Sequence, residues 1–140
     1  MKTIITTLLC FAAPALALAQ TFTREELVGA WTCKEVSYSE AIPAEESAAV
    51  EKTKRGLVQS RFVFQQNGFF VMQLPANAPI EFKELESLNN KMWHIKAKER
   101  MVFVGSLDDD LMILNVKNVN GLFYFSIQDT PLVLRMEKNR

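Results

Sequence analysis

The sequence predicts an all-β chain: an antiparallel up-and-down β-barrel of about 8–10 strands, with a short N-terminal helical turn and one surface helix. Three observations carry the prediction. From residue 61 to the C-terminus, short apolar runs alternate with polar breaks, the signature of strands joined by turns. Those breaks leave no room for crossover helices, so neighbouring strands must run antiparallel. The two middle runs, 101–105 and 111–117, are apolar on both faces, and a strand of that kind must be covered on both sides.

The first residues are set aside as a leader. Lys2 supplies a positive start, residues 4–18 form an almost uncharged apolar run, and Ala17-Leu18-Ala19 fits the small-x-small pattern ahead of a signal-peptidase cut. Residues 1–19 are therefore expected to be a signal peptide and residues 20–140 the barrel domain, exported to the periplasm or secreted. The apolar run is shorter than the roughly 20 residues a membrane-spanning helix needs, so no integral membrane protein is expected. Cys10 lies inside the run after Leu8-Leu9, without the small residue that precedes a lipidated cysteine.

Of the 140 residues, 121 follow the leader, enough for one core. The formal charge of the chain is zero, which gives no electrostatic reason to expect a nucleic acid or an anionic membrane as partner. Only Cys33 remains after cleavage. No internal disulfide framework is then available, and stability must come from apolar burial. Cys33 itself reads as a small buried hydrophobe.

Along the chain, Thr23 followed three residues later by Glu26 is a capping signal, predicting one helical turn that Gly29 ends. From Trp31 the pattern alternates, with Trp31, Cys33 and Glu35 on one face and Thr32, Lys34 and Val36 on the other. Residues 39–57 are charged and alanine-rich; Pro43 would start, and Gly56 end, a surface helix or lid, with a mobile loop as the alternative. Asn67-Gly68 between the runs 61–66 and 69–74 is a strong hairpin signal. Residues 80–90 fit two readings: Phe82, Leu85 and Leu88 have near-helical spacing, whereas Ile80 and Phe82 suit a strand. Runs at 92–96, 101–105, 111–117, 122–128 and 132–137 complete the meander. Phased by twos, they put Phe62, Phe64, Trp93, Phe123, Phe125 and Leu134 on one core face.

With strands placed, Leu27-Val28-Gly29-Ala30-Trp31 followed by Lys34-x-Val36-Ser37 resembles the opening of the small exported lipocalin-like proteins of bacteria, within the calycins. Phe62-x-Phe64-x-x-Asn67-Gly68-x-Phe70, Trp93-x-Ile95 and Asp129-Thr-Pro-Leu-Val-Leu134 are similar to that family's later segments, so the resemblance covers most of residues 24–138. It implies a lipocalin-like barrel in which Gly29, Trp31 and Arg135 mark one end: Trp31 plugs the barrel where strands converge, and Gly29 lets the incoming turn pass close to the ring. The family often pairs this tryptophan with a last-strand arginine. Arg135 is the candidate, yet phasing puts it with Val133 and Glu137, opposite the core, so it would have to cover Trp31 from outside as a stacked cation. The Arg-x-Tyr clamp by which fatty-acid-binding proteins hold a carboxylate is replaced here by Arg135-Met-Glu137 and is not carried over.

Signs of chemistry are few. His94 is the single histidine and sits between Trp93 and Ile95, pointing away from the core. No Cys/His cluster suggests zinc. Asp108-Asp-Asp110 lacks the alternating ligands of a calcium loop and reads as a solvated turn. No phosphate loop or nucleophile elbow is present. The expectation is therefore a non-enzymatic domain without cofactor or metal. It would bind a small apolar or amphipathic ligand, with Phe62, Phe64, Trp93, Phe123 and Phe125 lining the barrel. The alternative is a structural or interaction domain whose interior is filled and whose outer apolar face docks a protein partner or a second copy.

Overall fold

The structure, a computed structural model, describes residues 22–106 and 108–140. The proposed leader lies outside the described residues. Eight antiparallel strands form a closed barrel in sequence order: β1 (Gly29–Tyr38), β2 (Arg61–Phe64), β3 (Phe69–Gln73), β4 (Lys91–Lys96), β5 (Met101–Ser106), β6 (Asp109–Val119), β7 (Leu122–Ile127) and β8 (Leu132–Lys138). Pairing of β8 with β1, from Trp31↔Lys138 to Tyr38↔Leu132, closes the ring. A helical turn, α1 (Arg24–Leu27), precedes β1, and a helix, α2 (Ser47–Leu57), lies between β1 and β2.

The turns follow from local chemistry. At Asn120-Gly121 both residues have positive φ, 53° and 85°, and Val119 pairs with Leu122. This is the two-residue hairpin that Asn-Gly favours, because its twist matches the strands it joins. At Asn67-Gly68 only Gly68 is left-handed (φ 93°), and its N–H donates to the Gln65 carbonyl at 3.0 Å. Here the same dipeptide serves a longer hairpin with a glycine bulge.

The core is the barrel interior. Phe62, Phe64, Phe70, Phe125, Leu114, Leu134, Val102 and Val104 have no measurable exposure. Each fully buried large side chain contributes roughly 1.5–3 kcal/mol, so these rings and branched chains supply much of the stability, and among the described residues Cys33 is a free thiol. One sequence expectation is corrected. Simple alternation put Glu35 on the face of Trp31 and Cys33, and Val36 on the other. A register shift between Cys33 and Glu35 in the β1–β8 ladder adds a residue, so Cys33 and Val36 point inward while Lys34 and Glu35 face water. A bulge of this kind reverses alternation locally, and burial of Val36 in place of a carboxylate is the stabilising outcome.

On the outer face of β5, Phe103 is buried by its own strand neighbours. The Phe103 ring stacks on His94 at 5.0 Å with an interplanar angle of 8°, and the Lys96 Nζ lies 4.9 Å from its centroid. Gly56 does not end the surface helix; it lies inside the last turn, and the left-handed residue after the helix is Gln59 (φ 73°). Residues 80–90 are neither α-helix nor strand for the most part. Ile80–Leu88 is a continuous 3-10 helix. With three residues per turn, every third side chain eclipses, so Phe82, Leu85 and Leu88 form one inward stripe: these three are partly or fully buried while the other residues of the segment are exposed.

Candidate functional site

The two ends of the barrel differ in what closes them. At the closed end, the Thr23 side chain accepts from the Glu26 N–H at 3.2 Å while the Glu26 carboxylate accepts from the Thr23 N–H at 3.1 Å, the predicted reciprocal cap. This fixes α1 so that the Leu27 carbonyl meets the Trp31 Nε1–H at 2.8 Å. Trp31 is 1% exposed and packs against Phe123 and Phe125 at ring-centroid distances of 4.9 and 5.3 Å. Gly29 has φ 135°, and a Cβ there would come within 2.8 Å of the Lys138 side chain; only glycine allows both. Lys138 crosses that gap, donates to the Glu26 carbonyl at 2.9 Å and holds its Nζ 5.8 Å from the Trp31 ring.

Arg135 does not serve as the cation on Trp31. Its register partner on β1 is Glu35, and its Nε sits 3.4 Å from that carboxylate on the outer wall. Three residues further along β8, Lys138 pairs with Trp31 and takes the place that the resemblance implied for an arginine. Sequence reading also missed a second indole seal. Trp93 donates Nε1–H to the Gln65 carbonyl at 3.0 Å, and the Arg24 guanidinium lies 4.7 Å over its ring. Two tryptophans, each bonded to a backbone carbonyl and each beneath a cation, close this end.

The other end is open. There the end of α2, the 3-10 helix, the first half of β6 and the β7–β8 turn surround a cavity of about 540 Å³. Phe62, Met72 and Met112 line it from the strands, Leu57 from α2, and Phe82, Leu85 and Leu88 from the 3-10 stripe. Leu111, 48% exposed, borders its opening. The lid is made of two pieces clasped together. The Phe82 ring packs onto Gly56 so closely that a Cβ there would meet it at 2.8 Å, and the Lys52 Nζ reaches the Glu81 carboxylate at 2.7 Å. The Lys52 bond holds the Glu81 carboxyl below its ordinary value of 4.5.

Of the five residues expected to line the ligand space, Phe62 belongs to this cavity wall. Phe64 packs against Phe70 and Trp93 at 5.2 and 5.3 Å, and Phe125 lies 6.5 Å from Phe62 and 6.2 Å from Phe64. Phe123 packs on Trp31, and Trp93 also borders a hollow of about 400 Å³ with Met92, His94 and Gly105. The aromatic rings thus fill the barrel below Phe62, and open space begins above it. Met72, Met112 and the 3-10 stripe were not among the residues expected to line the ligand space, although the near-helical spacing of Phe82, Leu85 and Leu88 was read as one of two alternatives for residues 80–90.

Titratable groups add little chemistry. His94 is exposed and stacked on Phe103. Burial pushes the Cys33 thiol up to about 11, which keeps it a neutral, weakly nucleophilic group. Among the described residues no group of three or more His, Cys, Asp or Glu side chains is placed to hold a metal ion, and no helix is long and apolar enough to cross a membrane. In comparison with known proteins, no family model, no curated protein and no solved structure matches this chain.

Proposed function

We propose that this chain is an exported lipocalin-like domain of the calycin type that binds a small apolar or amphipathic molecule at the barrel mouth, beneath the lid, without catalysing a reaction. The observation that carries this reading is the 540 Å³ cavity walled by Phe, Met and Leu side chains. Its size falls in the range of about 300–1,000 Å³ typical of small-molecule sites, and its apolar walls with few polar groups match their usual lining. Closure at one end by bonded indoles and at the other by a clasped lid suits a container with a single entrance. The leader-like residues 1–19 support export.

The packed interior below Phe62 favours a second reading, a structural or interaction domain with a filled core. In that case its outer apolar residues, such as the cross-strand pair Phe69 and Met92 (43% and 47% exposed), would meet a protein partner or a second copy.

One titration separates the two. A neutral fluorescent apolar probe should bind saturably at one site per chain. Leu111→Trp, a change at a partly exposed position on the cavity's edge, should weaken that binding about tenfold by filling the opening while leaving the β-sheet circular dichroism spectrum intact. Absence of saturable binding, together with a dimer in sedimentation, would replace the container by the docking domain.

A further inference from the structure

The chemistry of the lid bears on which amphiphile the cavity would take. A 3-10 helix with three residues per turn presents three straight rows of side chains. In Ile80–Leu88 the first row, Phe82, Leu85 and Leu88, lines the cavity and is apolar. The second row, Glu81, Glu84 and Ser87, also lines it and is acidic and hydroxylic. The third row holds Lys83 and Glu86 and does not border the cavity. The same helix therefore turns two carboxylates toward the opening and its one lysine away from it.

Among the described residues, no basic side chain lines this cavity. Lys52, on α2, is committed to Glu81 at 2.7 Å. Lys54 and Arg55 border a different hollow, with Val58, Pro75 and Asn77. Further acidic residues are adjacent in sequence: Asp109 and Asp110, at the start of β6, precede the cavity residue Leu111, and Asp129 precedes the cavity residue Thr130. Fields of one sign focused at an apolar opening select the charge of what enters.

Resting on the proposed container role, we infer that the occupant is a single-chain amphiphile with a cationic head, an alkylamine or alkylammonium, and that carboxylate amphiphiles are disfavoured. Its apolar chain would lie against Phe62, Met72 and Met112, and its head would sit at the acidic row, with Glu84 free to receive it. Departure of Lys52 from Glu81 would supply a second carboxylate.

The test is competition for the bound neutral probe by three ligands with the same ten-carbon chain: decyltrimethylammonium, decanol and decanoate, at neutral pH, low salt and concentrations below micelle formation. The cation should displace the probe at about tenfold lower concentration than decanoate, since one head is attracted and the other repelled. High salt should narrow the gap. Glu84→Gln should shrink it, and Glu84→Lys, at an exposed position that leaves folding intact, should reverse the order. Equal displacement by cation and carboxylate in the wild type, or an order unchanged in Glu84→Lys, overturns the head-group inference. If decanol still competes in that case, the container reading survives. If the probe never binds saturably, both fall together.

Discussion

The closed end and the mouth of the barrel are built from the same kinds of residue to opposite effect. Each is covered by a short helical segment bearing large apolar side chains. At the closed end every cover is tied by directional bonds: the Trp31 and Trp93 Nε1–H groups to backbone carbonyls, Lys138 to the Glu26 carbonyl, Arg24 to the Gln66 carbonyl at 2.9 Å. At the mouth the lid is bonded to β3 only where it ends, the Met72 N–H donating to the Asn89 side chain and the Asn90 N–H to the Phe70 carbonyl, and the lid itself rests on a row of apolar contacts, one ring seated on Gly56 and one exposed ion pair. Apolar contact has no preferred direction, so it can be exchanged for contact with a ligand. A hydrogen bond from a buried indole cannot be exchanged without leaving a donor unpaired. On the proposed container role, the contrast assigns one end to stability and the other to access.

The hardest blow to that contrast would come from truncating the ring at each end. Trp31→Ala should cost about 3–5 kcal/mol in chemical denaturation, since it opens a large void and strands the Leu27 carbonyl. Phe82→Ala, which removes a half-buried ring at the lid, should cost about 1–2 kcal/mol and act mainly on probe binding. Equal losses at the two positions would mean that the mouth is as integral to the fold as the seal. A loss below about 1 kcal/mol for Trp31→Ala would deny the seal itself.

The closed end was far more legible in the sequence than the mouth, and the reason is physical. Thr23 and Glu26, Gly29 and Trp31 act on neighbours within a few residues, so their spacing states their geometry. Strand alternation likewise named Phe62, Phe64, Phe125 and Leu134 as interior. It failed at Glu35, because a bulge depends on how β8 pairs with β1 across the molecule. It placed Arg135 correctly on the outer face; what failed was the pairing with Trp31 that the resemblance implied, because which cation overlies Trp31 is set by register, and register favours Lys138. The mouth depends wholly on such distant meetings. Lys52 meets Glu81 and Gly56 meets Phe82 only because two connections happen to fold over one opening. Nor does an aromatic-rich face reveal whether its rings line a space or fill it. Only the packing of Phe64 and Phe125 against their neighbours answers that.

Between the two ends, Cys33 reports whether the interior is dry. Its side chain is wholly buried, and desolvation raises its pKa from 9.0 to about 11, against the smaller lowering influences of the Glu35 backbone and Arg135. The folded state thus holds the proton more tightly than the unfolded chain. That contribution is fully present below pH 9.0 and is lost as the pH rises toward 11. Over that window the protein should lose roughly 2 kcal/mol that a Cys33→Ala variant does not lose. Equal alkaline slopes for both proteins would mean that water admitted through the mouth reaches the middle of the barrel, and the filled interior would have to be abandoned.

The smallest effect belongs to the lid clasp, and it sharpens the contrast most directly. Glu81 is held below its ordinary value of 4.5 chiefly by the Lys52 side chain. A lowered carboxyl stabilises the closed lid above its unfolded value, and the contribution vanishes as the pH falls through the folded one. Both partners are solvent-exposed, so the change is local rather than global. Amide hydrogen exchange along 80–88, corrected for its intrinsic pH dependence, should therefore accelerate as the pH falls below 4.5, and Glu81→Gln should exchange faster than the wild type above that value and converge with it at lower pH. The indole N–H of Trp31, bonded to a backbone carbonyl at the far end, has no such titrating partner and should exchange at an unchanged corrected rate. If both ends loosened together, the lid would be part of the same cooperative unit as the seal, and the mouth could open only by unfolding the barrel.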